Sequence, residues 1–590
     1  MQTTKNLVFP SWLEKRYSLL LDRFGDKEFN REEAMEVLKK FKDTEDTVAV
    51  ILSELRKLGL VKTRLDVTDN RRRWYKLEKL KDSWDKLFDS SEKLTRSDIE
   101  GLLKKAADLI RTRVDYKFIL ILLFLKRISD KWELEYEEAY REALEDGLSE
   151  EEAREEAKSS VYHEFDLPEE FLWDNIRRDV NRLPERLSQA LKVIAERNPE
   201  LRDVVDRADF IQFTTSVENF EILRQLVELF SSKKLHRVSP DIMGDAYEWI
   251  LMYFAPQKAK EGEVYTPREV IDLLIRMLDP KPGEKVYDPA CGSGGMLISA
   301  FNYVEEKHGK EGVKKLFLYG QEANQTTYAF CKMNAYIHDI RDVDVRMGDT
   351  LIYPKFKKGD VLDSFHVVVA NPPWNQDGYD ENVLKKGEFW KQRYKYGFPS
   401  RQSADWAWIQ HMLASADDEK GRVGVVIDNG CLFRGGKEKT IRSRVVEDDL
   451  IECVILLPEK LFYNTGAPGA IIVFNKNKPG EGKEKVLFIN ASQEYEKHPD
   501  VRKLNILTEK NIEKIVEIYK TFGEKDGFSR IVFLDEIREN DYNLNVTLYV
   551  FPEEEVEEID VNKEWKEIQE IEKELSDVEN KILEYLKEVK

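Results

Sequence analysis

Asn371-Pro372-Pro373-Trp374 closes an apolar run, His366 to Ala370, that reads as a buried strand. An Asn followed by two prolines and an aromatic ring suits one chemical role, that of holding a planar amine while its nitrogen attacks a methyl donor. The exocyclic amine of adenine or cytosine is a poor nucleophile, because its lone pair is spread into the ring. The Asn371 side-chain carbonyl and the Pro372 backbone carbonyl can accept both of its protons. That localises the lone pair on nitrogen, a preorganised electrostatic effect. Pro372 and Pro373 fix φ and carry no N–H, so the turn is rigid. Trp374 offers a face on which a flipped base can stack, worth ~1–3 kcal/mol. Alone, the four residues fit an ordinary strand-ending turn equally well.

The stretch from Glu284 through Asp288 to Gly292-Ser293-Gly294-Gly295 reads as strand, acidic end, glycine turn and helix start. Glycines let the backbone approach a ligand closely, and the following helix N-terminus favours polar or anionic groups. The G-x-G-x-x-G spacing of dinucleotide sites is absent, as is the Lys-Ser or Lys-Thr of a Walker loop. Asp288 would repel a pyrophosphate but attract an ammonium group. A second strand, Leu316 to Gly320, leads to Glu322, placed to take the two hydroxyls of a ribose. A third, Val343 to Met347, ends at Gly348-Asp349, a candidate for an adenine amine. Three carboxylates at successive strand ends describe a ligand that is part nucleoside and part amino acid, hence S-adenosylmethionine as cofactor.

These stretches resemble the modification subunit of Type I restriction–modification systems, a DNA adenine-N6 methyltransferase in which the cofactor motif precedes the Asn-Pro-Pro motif. Also matching are Gly244 to Trp249, Ala404-Asp405-Trp406-Ala407, Asn429 to Gly436, Leu461 to Gly466 and Asn540 to Leu544. Trp374 stands where Phe is usual, which preserves stacking. The resemblance implies adenine as the target base, which both amines' shared donor pair leaves open. It implies that Tyr265, Thr266 and Pro267 close over the methionine end of the cofactor. It also implies assembly with a specificity subunit on double-stranded DNA, with places for a second copy of this chain and a restriction subunit. Three alternatives remain: a stand-alone DNA methyltransferase of a related defence system, a non-catalytic DNA-binding assembly subunit, and methylation of RNA or a protein glutamine amide. The intact acidic set and the flanking stretches disfavour the last two.

The elements that position these groups fall into four regions. Residues 1–80 read as three helices and a hairpin, a winged-helix-like module. Its hairpin, 61–77, carries six basic residues, including Arg71, Arg72 and Arg73, against two acidic ones. In a chain of net charge −20 that local excess is a plausible phosphate-contacting patch, or else a solvated turn of a protein-binding module. Residues 81–235 read as all-α, with Phe118 to Leu125 as a core helix too short to span a bilayer. Residues 236–550 read as an α/β domain, a seven-stranded doubly wound Rossmann-like sheet whose later strands are Arg422 to Ile427, Leu450 to Leu456 and Ala470 to Asn475. Within it, Gln376 to Gln402 interleaves basic residues, Lys391 and Arg393 among them, with aromatics. That suits either a mobile loop over unstacked nucleic acid or a lid on the cofactor. Residues 551–590 carry Ile568, Ile571, Leu575, Val578, Ile582, Tyr585 and Val589 at coiled-coil spacing, a stripe for the specificity subunit or for this chain's own surface. Four cysteines without C-x-x-C spacing, and no leader-like N-terminus, suit reduced thiols in a cytoplasmic protein without a metal site.

Overall fold

The computed structural model describes most of residues 16–77 and 94–551, the principal gaps being 40–44, 58–60, 66–72, 111–113 and 255–265, and seven positions of a helix between 565 and 578. It divides into two compact units, Met1–Leu94 and Thr95–Lys590.

In the first unit, β1 (Glu28–Phe29) precedes α1 (Arg31–Leu38), α2 (Glu45–Lys57), β2 (Val61–Leu65) and β3 (Arg73–Leu77). Asn30 caps α1, its side chain accepting the Glu33 N–H while the Glu33 carboxylate accepts the Asn30 N–H. The sheet order is β1-β3-β2, and β1 is a strand that the sequence pattern did not announce. Arg64, one of the six basic hairpin residues, pairs with Glu28 across this sheet. Arg71 and Arg72 lie outside the described residues, whereas Arg73 opens β3 with its side chain exposed.

The second unit begins with helices. In α3 (Arg96–Ile110) and α4 (Lys117–Glu145) the apolar pattern sets the depth of burial. Phe118 to Leu125 is buried on every side, and from there α4 narrows to a stripe through Trp132, Ala139 and Ala143. The charged half of α4 pairs with α5 (Glu150–Ala157), the exposed helical pair its composition implies, with Ser149 and Glu152 closing a capping box. Lys126 and Asp130 form a buried ion pair, and Asp130 also accepts the Leu235 N–H at 2.7 Å. Further on come α6 (Leu183–Arg197) and α7 (Val217–Ser231).

The α/β part follows as α8 (Arg268–Leu278), β4 (Lys285–Asp288), α9 (Gly295–Val313, broken at Gly309), β5 (Phe317–Glu322), α10 (Gln325–Ile337), β6 (Val343–Met347) and β7 (Val367–Ala370). It continues with α11 (Asp405–Ser415), β8 (Arg422–Asp428), α12 (Gly436–Glu447), β9 (Ile451–Leu456), β10 (Gly469–Asn475), β11 (Lys485–Asn490), α13 (Glu509–Thr521) and β12 (Ser529–Phe533). The sheet order is β12-β11-β9-β10-β8-β7-β4-β5-β6. Strands β6, β5, β4, β7 and β8 run parallel, while β10 is antiparallel to both neighbours. The central strands are buried on both faces, as uninterrupted runs such as Val367–Ala370 require.

Seven strands were expected and nine are present. The additional β11 and β12 come from the segment after Asn475, which reads in sequence only as a closing stretch. Their apolar cores are only three or four residues long, too short to carry a period. They extend the sheet beyond β9, and α13 crosses back to pack on α8. Parallel strands β4, β5, β6 and β7 all end on one edge, where the ligand crevice of such a sheet lies. Among the described residues, no helix is long and apolar enough to cross a membrane.

Candidate active site

The glycine turn is built by its neighbours. Asp288 ends β4 fully inside the fold, with its Oδ1 accepting the Ala290 N–H at 3.0 Å. Gly294 has φ +88°, and a Cβ there would come within 2.9 Å of the Cys331 sulfur on α10. Only glycine satisfies both conditions. Asn334, also on α10, donates to the Ser293 carbonyl at 3.0 Å and holds the turn from beneath. Glu322 grips it from the side: Oε2 accepts the Gly292 N–H at 3.0 Å and Oε1 the Asn324 N–H at 2.7 Å. Asp349 is set by the Leu351 N–H at 3.0 Å and the Tyr379 hydroxyl at 2.9 Å.

Asp288, Gly292, Ser293, Gly295, Glu322, Asp349, Asn371, Pro373 and Trp374 line one cavity of about 1010 Å³. Pro372 is buried and Gly294 faces Cys331. Thr266 lines the cavity from the start of α8 and Pro267 is the cap of that helix, while Tyr265 lies outside the described residues. The volume sits at the upper end of the ~300–1,000 Å³ typical of ligand pockets. Burial drives the Asp288 carboxyl up to about 8, against the Ala290 N–H and with help from the Glu322 charge. Burial likewise raises Glu269, on the first turn of α8, to about 7. Carboxyls crowded into one cavity in this way favour a cationic ligand.

At the mouth of β7 the Asn371 amide is held at both ends. Its Nδ2 donates to the Thr266 hydroxyl at 2.7 Å, and its Oδ1 accepts the Trp374 indole N–H at 2.8 Å. The indole meets Phe462 edge to face, with centroids 4.7 Å apart and planes at 66°. Gly469 gives it room, since a Cβ there would lie 2.9 Å from the Trp374 Cη2.

The family is decided by likeness over the whole length. The N-6 DNA Methylase family model matches residues 238–558, and the HsdM N-terminal domain model matches residues 99–230. The chain is 44% identical over 585 residues to the Type I restriction enzyme MjaVII methylase subunit of Methanocaldococcus jannaschii, covering 98% of this chain and 97% of that one. It is 45% identical over 594 residues to the MjaVIII methylase subunit of the same organism, covering 99% and 98%. The chain belongs to the methylase subunits of Type I restriction enzymes. A solved methyltransferase subunit of a type I restriction-modification system from Streptococcus thermophilus superposes with a TM-score of 0.67 at 26% identity, covering 78% of this chain and all of the other. Membership makes this Type I methylase subunit an N6-adenine DNA methyltransferase by family.

Two sequence-based expectations change in this methylase subunit. Arg393, expected on nucleic acid, is 1% exposed and donates to the Thr350 carbonyl at 3.0 Å and to the Glu388 carbonyl. The short helix Trp390–Arg393 turns it inward, while Lys391 stays exposed over the Trp390 ring at 5.6 Å. Gln376 to Gln402 is accordingly packed on the end of β6 and not a free loop: Tyr379 reaches Asp349, and Tyr394 donates to the Leu351 carbonyl at 3.0 Å. The segment therefore packs against the Asp349 side of the cavity.

Other residues of the site were not assigned to it from the sequence. Phe462, Tyr379 and Trp408 supply aromatic surface around Trp374 and Asp349. Glu269 is an additional acid in the cavity wall, and Tyr116, stacked on Phe254 at 5.0 Å, brings the helical region to it. Leu507, Glu509 and Ile512 form the outer wall from the start of α13. The four cysteines are free and buried, with the Cys291 and Cys331 sulfurs 3.9 Å apart behind the turn. Among the described residues, no group of three or more His, Cys, Asp or Glu is placed to hold a metal.

Proposed function

We propose that this chain binds S-adenosylmethionine in the cavity and methylates N6 of an adenine turned out of double-stranded DNA. The observation that carries the reading is a single cavity lined by both the glycine turn and the Asn-Pro-Pro-Trp turn. The donor set fits the cofactor: Asp288 and Glu269 suit its cationic end, Glu322 the ribose hydroxyls and Asp349 the adenine amine. Gly292, Ser293, Gly294 and Gly295 allow close backbone approach, Thr266 and Pro267 border the methionine side, and the family resemblance assigns Tyr265 to the same segment. When bound, the cofactor supplies a methyl group on a cationic sulfur.

The chain's own residues then act on the target amine. Asn371 Oδ1 and the Pro372 carbonyl accept hydrogen bonds from its two N–H groups and direct its lone pair outward. Pro373 keeps the turn rigid, and Trp374 with Phe462 supplies apolar contact that offsets a few kcal/mol of unstacking. No acid is needed for the leaving sulfur, and the proton lost by the amine passes to solvent. Replacing Asn371 with Ala abolishes methyl transfer while calorimetric cofactor binding persists; turnover retained in N371A removes the assignment. Asp288→Ala weakens cofactor binding.

The sequence reader in this proposal is a specificity subunit, seated on the C-terminal helix. In support, Ile568, Ile571, Leu575 and Val578 share one stripe of that helix and are all exposed. A second copy of the chain and a restriction subunit complete the assembly. A sheet of order β1-β3-β2 with α1 and α2 inserted between β1 and β2 supports a winged-helix-like reading of the first unit, with Arg71, Arg72 and Arg73 on DNA phosphates and Lys391 adding a contact beside the site. Deleting residues 552–590 abolishes co-purification with the specificity subunit if that helix is the dock.

A further inference from the structure

An Asn side chain has two ends of nearly equal shape and opposite hydrogen-bonding sense. Only the oxygen end can accept a proton from a substrate amine; turned by 180°, the same side chain would set N–H against N–H. Something must therefore fix the orientation of Asn371 before a base arrives. The indole N–H of Trp374 can donate and cannot accept, and it lies 2.8 Å from Asn371 Oδ1. The Thr266 hydroxyl can do either, and it accepts from Nδ2 at 2.7 Å. The indole thus decides the orientation and the hydroxyl satisfies the other end.

We propose that Trp374 and Thr266 are positioning residues that fix which end of the Asn371 amide meets the target amine. The inference rests on the methyl-transfer reading above. Geometry limits the indole itself: Phe462 meets it edge-on at 4.7 Å, and the close approach of Gly469 leaves no space for another side chain there. Just beyond it, the Asn375 N–H is tied to Asp405 Oδ1 at 2.9 Å. The indole donor direction is therefore preset by the sheet and by α11. Oδ1 retains a second lone pair, so the bond orients the acceptor without consuming it. Phe at 374 would keep an aromatic face and lose the discrimination. Thr266 adds a second consequence: the segment that borders the cofactor also orients the group that acts on the base.

The test compares W374F, T266V, the double variant and T266S in the chain assembled with its specificity subunit on target duplex. Single-turnover rate at saturating cofactor and calorimetric cofactor affinity are measured for each. Each single variant loses about tenfold in rate, the order of one orienting hydrogen bond, and the double variant loses more. Cofactor affinity of W374F stays within about twofold of wild type, whereas T266V, on the segment that borders the cofactor, is judged by its rate at saturating cofactor. T266S keeps more of the rate than T266V. Rates within about twofold of wild type in both single variants would falsify the inference. A loss confined to cofactor affinity overturns it too, because Thr266 would then serve the cofactor alone. N371A is the separate control: turnover there defeats the catalytic reading itself, whatever the other variants do.

Discussion

Asp405 accepts the Asn375 backbone N–H through Oδ1 at 2.9 Å and meets the Arg434 guanidinium through Oδ2. Arg434 also reaches the Asn375 side-chain oxygen at 2.7 Å, Asp428 at 2.8 Å and Glu438 at 3.0 Å. One partly buried cation therefore holds the residue after Trp374, in which φ is +52°, to α11, β8 and α12. Burial pushes the Asp405 carboxyl up and Arg434 opposes that shift.

Arg434→Met takes from three carboxylates the cation they share, leaving Arg442 to act on Glu438. Breaking such a pair costs about 3–5 kcal/mol. Urea denaturation of R434M gives a midpoint well below wild type, and methyl transfer is lost because the turn carrying Trp374 is no longer fixed. An unchanged midpoint would show that the network is not what holds the turn.

Cofactor binding strengthens as pH rises. With Asp288 at about 8 and Glu269 at about 7, the ligand-free chain carries protons on both below neutrality. A cationic ligand favours the ionised forms, so affinity climbs through pH 7–8 and binding releases protons. Calorimetry in buffers of different ionisation enthalpy measures that release, and Asp288→Asn reduces it. The stability of the ligand-free chain runs the other way. A raised carboxyl holds its proton more tightly folded than unfolded, so its contribution is full at low pH and is lost as pH rises towards 8. D288N therefore raises the melting temperature of the ligand-free chain at pH 8.5; no gain there would contradict the burial argument.

Gly294→Ala forces a Cβ against the Cys331 sulfur and places Ala at φ +88°. The backbone term alone is about 1–2 kcal/mol. Cofactor affinity falls at least severalfold and the melting temperature drops. Gly435→Ala is the matched control, since a Cβ there meets nothing within 4 Å and no positive φ is involved. Equal effects at both positions would remove the special status of the turn.

Arg393→Met and Lys391→Ala separate support from surface. R393M removes donors to Thr350 and Glu388 inside the fold and lowers stability by about 1–3 kcal/mol. K391A changes stability by less than about 0.5 kcal/mol. Thermal melts of both distinguish them; comparable losses would refute the buried role of Arg393.

Much of this was legible in the residues. Val343–Met347 is a strand with the bounds its pattern predicts, and Asp288, Glu322 and Asp349 do converge from successive strand ends, because a parallel sheet makes that automatic. Phe462 and Arg434 fall in stretches the resemblance picked out, but their contacts with Trp374 and Asp405 were beyond reach, because they arise only through tertiary packing of segments far apart in sequence. The Trp374–Asn371 bond spans three residues yet depends on rotamers that no spacing reveals. Arg393 shows the limit of composition, since one four-residue helix sends it inward beside an exposed Lys391.

Leu507, Glu509 and Ile512 complete the cavity from a helix synthesised long after the glycine turn. During translation the crevice leaves the ribosome with one side missing. The wall that closes the crevice is thus the last part of it to be made, and it is in place only once α13 has crossed back over α8.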